Sequence, residues 1–596
     1  MSRYIGRTPL LLAGLLLAIW VVATTASAST VDLLALWCIE GVLALSLVLV
    51  WGHAGILSLG QTAIAGLGGY AFAIVAVSFA SEAWFFPVSV AAGLILGALF
   101  AAALGYFMFY GRVNAVNVAV ITLAVTIILY IVFNATSDPG YKIGSVELGG
   151  YNGIVGVPQA RLGPETSSAL NIRVFFLVCA LMAVAAGIAV WLFRRSRTGR
   201  VVAAIRCNEG RAELLGHDIR AYKLVVFVFG GCLAGLAGAM LVARSGFVGP
   251  TVFALNPAIF AVIWVLVGGR GSIIGGFVGV FLVESLNNYL AGSQGQYAPI
   301  YLGMLLLVMV LVFPSGLMEL VNRLNKRFFG HRSNATGHQV ALIDKDAKES
   351  VDRVLQERPH GVELQAVDIH KDFGGFSALA GVDADFSGTG IRCIVGPNGA
   401  GKSTFFSLLS GIARPTTGRI LLNGVEITDL ALHKRADAGI GVKLQVVTLF
   451  SELNVYENLW LATRPGSGRD ERVDMLLRDF GLADVAATLA GELSHGRQQW
   501  VDIAMAVASD PAILLLDEPT AGMSSEETLM TADLVKRLAR HAVVIVIEHD
   551  MGFIRMLNSP VMVFHLGRVL MEASLAEVER DQTVLDIYLG RGHVSA

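Results

Sequence analysis

The sequence predicts a multi-domain protein: an all-α polytopic membrane domain followed by an α/β P-loop nucleotide-binding domain. Three observations carry that prediction. The 596 residues are 55% hydrophobic and only 15% charged, with a mean hydropathy of +0.66, well outside the range of soluble domains. Apolar runs dominate the stretch from Thr8 to about Leu320. Beyond a polar segment the chain alternates β-rich runs with amphipathic helical patterns around one Gly-rich loop.

A spanning helix needs about 20 apolar residues to cross about 30 Å of hydrocarbon. Runs at 8–28, 33–51, 62–80, 86–110, 114–134, 173–193, 222–243, 273–291 and 298–318 qualify, and a weaker run at 255–267 gives nine or ten spans in contact with membrane lipid. Arg3 and Arg7 ahead of a run ending in "TTASAS" imitate a secretory signal, but the run is longer than a usual signal core. Arg194, Arg195, Arg197, Arg200, Arg206, Arg211, Arg220 and Lys223 crowd one short loop, which the positive-inside rule assigns to the cytoplasm. Counting spans from a cytoplasmic N-terminus is consistent with that assignment, and it delivers the C-terminal domain to the cytoplasm when the weak run crosses.

Two glycine-rich stretches lie inside this half, "WGHAGILSLGQTAIAGLGGY" at 51–70 and "VGGRGSIIGGFVGV" at 267–280. Such sequence suits either a water-lined translocation path or tight helix packing through small residues. Glu40 and Glu284 fall within apolar runs, where a charge is costly and often functional, unless it snorkels from a span end.

The membrane domain is expected over 1–329 and a polar tether over 330–360, with the nucleotide-binding domain over 361–596. The formal net charge of −2 and pI near 6.6 lack the concentrated basic surface of a nucleic-acid binder, so no nucleic acid is expected as a partner. Five scattered cysteines have neither metal-ligand nor redox spacing and read as small apolar fillers.

"CIVGPNGAGKSTFF" at 393–406 fits G-x-x-x-x-G-K-[ST] from Gly396 to Ser403, between a β-rich run and an apolar helical run. In such a loop the backbone N–H groups of Gly396, Asn398, Gly399, Gly401 and Thr404 turn towards phosphates of ATP. Lys402 neutralises the β and γ oxygens and Ser403 offers its hydroxyl to Mg²⁺. "AILLLDEP" at 512–519 is a buried-strand run ending in two acids, suited to hold Mg²⁺ through Asp517 and to polarise water with Glu518. "AVVIVIEHD" at 542–550 is a second such strand, bringing His549 to the same edge. "LSHGRQQ" at 493–499 places a Ser and a Gly ahead of an amphipathic helix, a second phosphate-facing helix start.

Taken in order, the phosphate loop, Gln445, "LSHGRQQ", "LLLDEP" and "EHD" resemble the ATP-binding subunits of ABC transporters over 361–596. The resemblance implies that Phe373 stacks adenine, that Gln445 joins Mg²⁺ to the coupling surface, and that Glu518, His549 and Gln445 form the hydrolytic set. It also implies that Ser494 and Gly496 close over ATP held by a second ATPase. "DFGGFSALAGV", "LFSELNVYENL" and "VLDIYLGRG" resemble the branched-chain amino-acid importer group, whose permeases are resembled by most of 30–320, with a coupling helix near 201–215. The expected function is therefore ATP-driven import of branched-chain or related amino acids across a bacterial inner membrane. The implied partners are a second permease and a second ABC ATPase (or a second copy of this chain) and a periplasmic substrate-binding protein.

The chain departs from the family pattern at His495 and Arg497, which replace the usual glycine and glutamine, and at Ser524, where many relatives have Asp. "LSHGRQQW", "AGMSSEET" and "EHDMGFI" look closer to urea or short-amide importers. A homodimeric exporter half-transporter is the other transport reading, opposed by the span count and short cytoplasmic loops. A membrane-anchored ATPase that gates another protein stands as a third.

Overall fold

The computed structural model describes residues 8–321 and 361–588, apart from 83, 161–169, 295–297, 314–315, 319 and 467. The tether expected at 330–360 lies outside the described residues, as do Arg3 and Arg7. The chain divides into two compact units, Met1–Arg206 with Arg220–Asn334, and Cys207–Ile219 with Ala335–Ala596.

The helices of the first half run in order as α1 (Thr8–Thr25), α2 (Ala28–Leu47), α3 (Gln61–Ser78), α4 (Phe85–Tyr110), α5 (Ala115–Asn134), α6 (Ile172–Arg195) and α7 (Arg197–Cys207). Next come α8 (Glu209–Leu214), which belongs to the second unit, and α9 (Ile219–Ser245), α10 (Leu255–Gly268), α11 (Ile273–Gln294) and α12 (Ala298–Val312). Four two-residue strands lie among them: β1 (Lys142–Ile143), β2 (Val146–Glu147), β3 (Ile154–Val155) and β4 (Phe247–Val248). Among the described residues seven helices are long and apolar enough to cross a membrane, with α2 continued by a π-helical turn to His53. The weak run is the 14-residue α10, and α12 spans 15 residues.

Both glycine-rich stretches pack helices closely. A Cβ on Gly68 of α3 would stand 2.5 Å from the carbonyl oxygen of Gly235 in α9, a separation no side chain tolerates. Glu284 does not snorkel: it is buried in α11 and accepts from Trp264 Nε1 at 3.0 Å and Asn287 Nδ2 at 3.3 Å. Arg244 at the end of α9 grips Asp32 of α2 with two bonds, 3.0 and 2.6 Å long, so a bidentate pair ties these helix ends together.

The second unit has two sheets. One is antiparallel, in the order β6 (Phe376–Gly388), β5 (Val362–Phe373), β8 (Thr417–Leu422), β9 (Val425–Glu426). The other runs β10 (Ile440–Lys443), β11 (Ile513–Asp517), β12 (Val543–Ile547), β7 (Gly390–Val395), β13 (Val561–His565), β14 (Arg568–Ala573), parallel except for its last pair. Every residue of β11 and β12 is buried, which explains why both read as continuous aliphatic runs rather than alternating ones. The helices are α13 (Lys402–Ser410), α14 (Leu432–Asp437), α15 (Val455–Ala462), α16 (Arg469–Asp479), α17 (His495–Ala508), α18 (Ser525–Leu538), α19 (Met551–Leu557), α20 (Leu575–Val578) and α21 (Gln582–Tyr588).

The expected coupling segment at 201–215 divides at the break between α7 and α8. Residues 201–207 complete α7, and the second unit takes up the chain from its last residue, Cys207, to Ile219. Asn208 makes the break, because its side chain caps α8 by accepting from Arg211 N at 2.9 Å. Leu214 then joins the apolar core that contains Phe405, Leu408 and Ile440.

Candidate functional site

The site gathers at the C-terminal ends of the parallel strands, where open α/β sheets bind ligands. The loop 396–401 leaves β7 and enters α13. Gly401 adopts φ +102°, and a Cβ there would lie 2.7 Å from the carbonyl oxygen of Ala378, so no other residue fits. The helix behind the loop is pinned at its far end by the buried Arg435. Its Nη1 donates to the carbonyls of Leu408 and Leu409 at 2.7 and 3.0 Å, and its Nη2 to that of Thr428 at 2.8 Å.

Lys402 donates to the carbonyl oxygens of Gly396 (2.6 Å) and Pro397 (3.0 Å), so the loop itself holds the ammonium. Burial lowers its pKa, and Glu518 and Asp517 oppose that shift. Ser403 is exposed at the start of α13. Asp517 ends β11 almost fully buried; that burial, followed by repulsion from Glu518, raises its carboxyl to about 6. Phe373 faces Phe376 across the hairpin turn that joins β5 to β6, and is 55% exposed with Lys371 Nζ 5.0 Å from its ring centroid.

Gln445, Glu518 and His549 come together. Gln445 Nε2 donates to Glu518 Oε2 at 3.0 Å, and His549 Nδ1 lies 3.5 Å from Glu518 Oε1. Glu518 has a left-handed backbone, φ +44°, which turns its side chain at the strand end. Among the described residues no hydrogen bond brings Ser494 or Gly496 to the phosphate loop. Ser494 is the exposed N-cap of α17, and its side chain makes no capping bond. A Cβ on the buried Gly496 would collide with the carboxylate of Glu527.

The departures at 495, 497 and 524 have structural partners. Arg497 pairs with Asp484 at 2.8 Å, and the ring of His495 packs against Gly522, where a Cβ would approach within 2.8 Å. Ser524 caps α18 in a reciprocal box with Glu527.

Besides Arg435, the buried charges Glu548, Lys443, Asp502 and Arg211 escape motif reading. Glu548 accepts from Thr520 Oγ1 (2.6 Å), Thr520 N (3.3 Å), His549 N (3.0 Å) and Asp550 N (3.4 Å). Lys443, Asp502 and Arg211 are fully buried. A lone lysine in the strand "IGVKLQ" and a lone aspartate in the apolar helix "WVDIAMAVA" were the available signals.

Comparison with known proteins gives a family for each half of the chain. The family described as the branched-chain amino acid transport system permease component matches residues 29–313, and the ABC transporter family matches 379–521. The high-affinity branched-chain amino acid transport ATP-binding protein BraF of Pseudomonas aeruginosa is 34% identical over 239 residues, 37% of this chain and 94% of that protein. LivG of Escherichia coli, with the same description, is 31% identical over 239 residues with the same coverage. The methionine import ATP-binding protein MetN of Rhodopseudomonas palustris is 37% identical over 196 residues, 32% of this chain and 53% of that protein. This chain belongs to the ABC transporters, joining a permease domain of the branched-chain amino acid type to an ABC ATPase domain in one multi-pass membrane polypeptide.

Proposed function

We propose that this protein is the fused permease and ATPase of an importer for branched-chain or related amino acids in a bacterial inner membrane, with the ATPase domain in the cytoplasm. The observation that carries the reading is the continuity, on one chain, of a branched-chain permease domain with a site that assembles Lys402, Gln445, Glu518 and His549. A periplasmic binding protein delivers the solute, and a second permease and second ATPase, or a second copy of this chain, complete the assembly.

In the mechanism, Phe373 stacks the adenine while the backbone of 396–401 and Thr404 cradles the phosphates. Lys402 exchanges its loop carbonyls for β and γ oxygens. Ser403, Asp517 and Gln445 would hold Mg²⁺; an exposed hydroxyl at the start of α13 and a buried carboxylate at the end of β11 suit an ion that keeps phosphate and water ligands. When bound, the ion neutralises charge on the transferred phosphate. Glu518 orients and polarises the attacking water, and His549 stands beside the same carboxylate to meet the γ-phosphate. Ser494 and Gly496 close over nucleotide held by the partner ATPase.

Import of urea or short-chain amides is the second reading, supported by "LSHGRQQW", "AGMSSEET" and "EHDMGFI". Proteoliposomes separate the two: ATP-driven uptake of leucine that depends on the binding protein supports the first, and uptake of urea or acetamide the second. Glu518→Gln should keep nucleotide binding and abolish uptake. Hydrolysis at the wild-type rate in that variant would overturn the site assignment.

A further inference from the structure

Strand β10 ends on a buried lysine. Lys443 is 0% exposed and sits two residues before Gln445, in a strand whose other residues are aliphatic or glycine. Its Nζ donates to the backbone carbonyl oxygens of Asp517 at 3.1 Å and Glu518 at 2.9 Å. The neighbouring N–H of Glu518 donates to the carbonyl of Ile547 at 2.9 Å. Both backbone polar groups of Glu518 are therefore tied, one to β12 and the other to the lysine of β10. A non-glycine residue at φ +44° persists only when its surroundings fix it, and these are two of the bonds that do so.

The strand carrying Lys443 is itself held from the other side. Arg211 Nη1 donates to the carbonyl of the adjacent Val442 at 2.7 Å, and its Nη2 pairs with Asp502 at 2.6 Å. Burial lowers the pKa of Lys443, and the carboxylates of Asp502, Asp517, Glu548 and Glu518 oppose that shift. Lys443 therefore joins the segment 207–219, through β10, to the backbone of both catalytic-edge acids.

We propose that Lys443 is a positioning residue for hydrolysis: its ammonium fixes the Asp517–Glu518 backbone so that the Glu518 carboxylate meets the attacking water. The role is distinct from that of Gln445, which touches the carboxylate directly. The inference rests on the reading of Glu518 as the water-polarising group.

The test uses the full-length chain in lipid nanodiscs with its co-purified partner, measuring steady-state ATP hydrolysis, affinity for a fluorescent ATP analogue and thermal unfolding. Lys443→Met should lower kcat by about tenfold or more while KM for ATP and analogue affinity stay within about twofold. Lys443→Arg, which keeps a buried cation with donors, should recover about a third or more of kcat. If Lys443→Met does not yield folded protein, Lys443→Gln is judged by the same criteria. Unchanged kcat overturns the proposal, as does a parallel loss of kcat and analogue binding or an Arg variant no better than Met. A Glu518→Gln control separates the two failures. Full turnover in that control sinks the reading of Glu518, whereas full turnover in Lys443→Met beside an inactive control sinks only the present inference.

Discussion

Arg211 and Asp502 form an ion pair, Nη2 to Oδ1 at 2.6 Å, in which both side chains are 0% exposed. Arg211 sits on α8 and Asp502 on α17, the helix capped by Ser494, so the pair ties the segment 207–219 to that helix. Burial raises the pKa of Asp502, and Arg211 is the largest influence opposing it. Arg211→Met should therefore cost about 3–5 kcal/mol, because it strands a carboxylate away from water. The double variant Arg211→Met with Asp502→Leu should recover more than half of that loss in thermal unfolding. Additive losses would show that the two residues are not a coupled pair.

Gly401 tests the phosphate loop through its backbone alone. At φ +102° and with Ala378 O 2.7 Å from the position of a Cβ, Gly401→Ala must shift the loop. ATP affinity should fall about tenfold or more, measured by displacement of a fluorescent analogue, while Lys402 remains present.

Glu548 carries a different role from its neighbour His549. Its buried carboxylate collects donors from Thr520, His549 and Asp550, which lie on two separate strand ends. In Glu548→Gln an amide N–H₂ must face one of those donors, costing about 1.5–3 kcal/mol. Hydrolysis should fall further than in a Thr520→Val variant, which removes only the hydroxyl.

His217 gives the segment 207–219 a pH dependence. Burial, the largest cause, lowers its pKa from 6.5, although its ring nitrogen lies 3.1 Å from Leu461 O, a bond that raises it. The folded pKa is thus below the unfolded one, so the neutral ring favours the fold. That contribution is present above pH 6.5 and is lost as pH falls below it. Thermal unfolding between pH 7.5 and 5.5 should show a larger drop for the native chain than for His217→Gln.

The nucleotide site was largely legible because its chemistry depends on short local spacings. Gly396 to Ser403, Asp517–Glu518 and His549 each sit at a strand end that its own aliphatic run announces. Arg211 was less legible: among the basic residues of its loop it reads as a topology signal, and only the fold singles it out by burying it against Asp502. Lys443 and Asp502 depend on partners far away in sequence, as Glu548 does for its bonds from Thr520, and spacing cannot reveal these. The glycine-rich stretches allowed a path or a packing seam, and the approach of Gly68 to Gly235 shows the seam. Arg497 departed from the family pattern without explanation until Asp484 appeared as its partner, an exposed pair worth about 0.2–1 kcal/mol.

Ser494 caps α17 through its backbone, and its hydroxyl makes no capping bond. In genetic terms this predicts intragenic complementation. A chain disabled at Ser494 and another disabled at Lys402, co-expressed, should restore one intact nucleotide site when two copies of this chain pair. When the second ATPase is a different gene product each variant alone already keeps one intact site, so growth on the transported solute that appears only on co-expression would report a pairing of two copies of this chain.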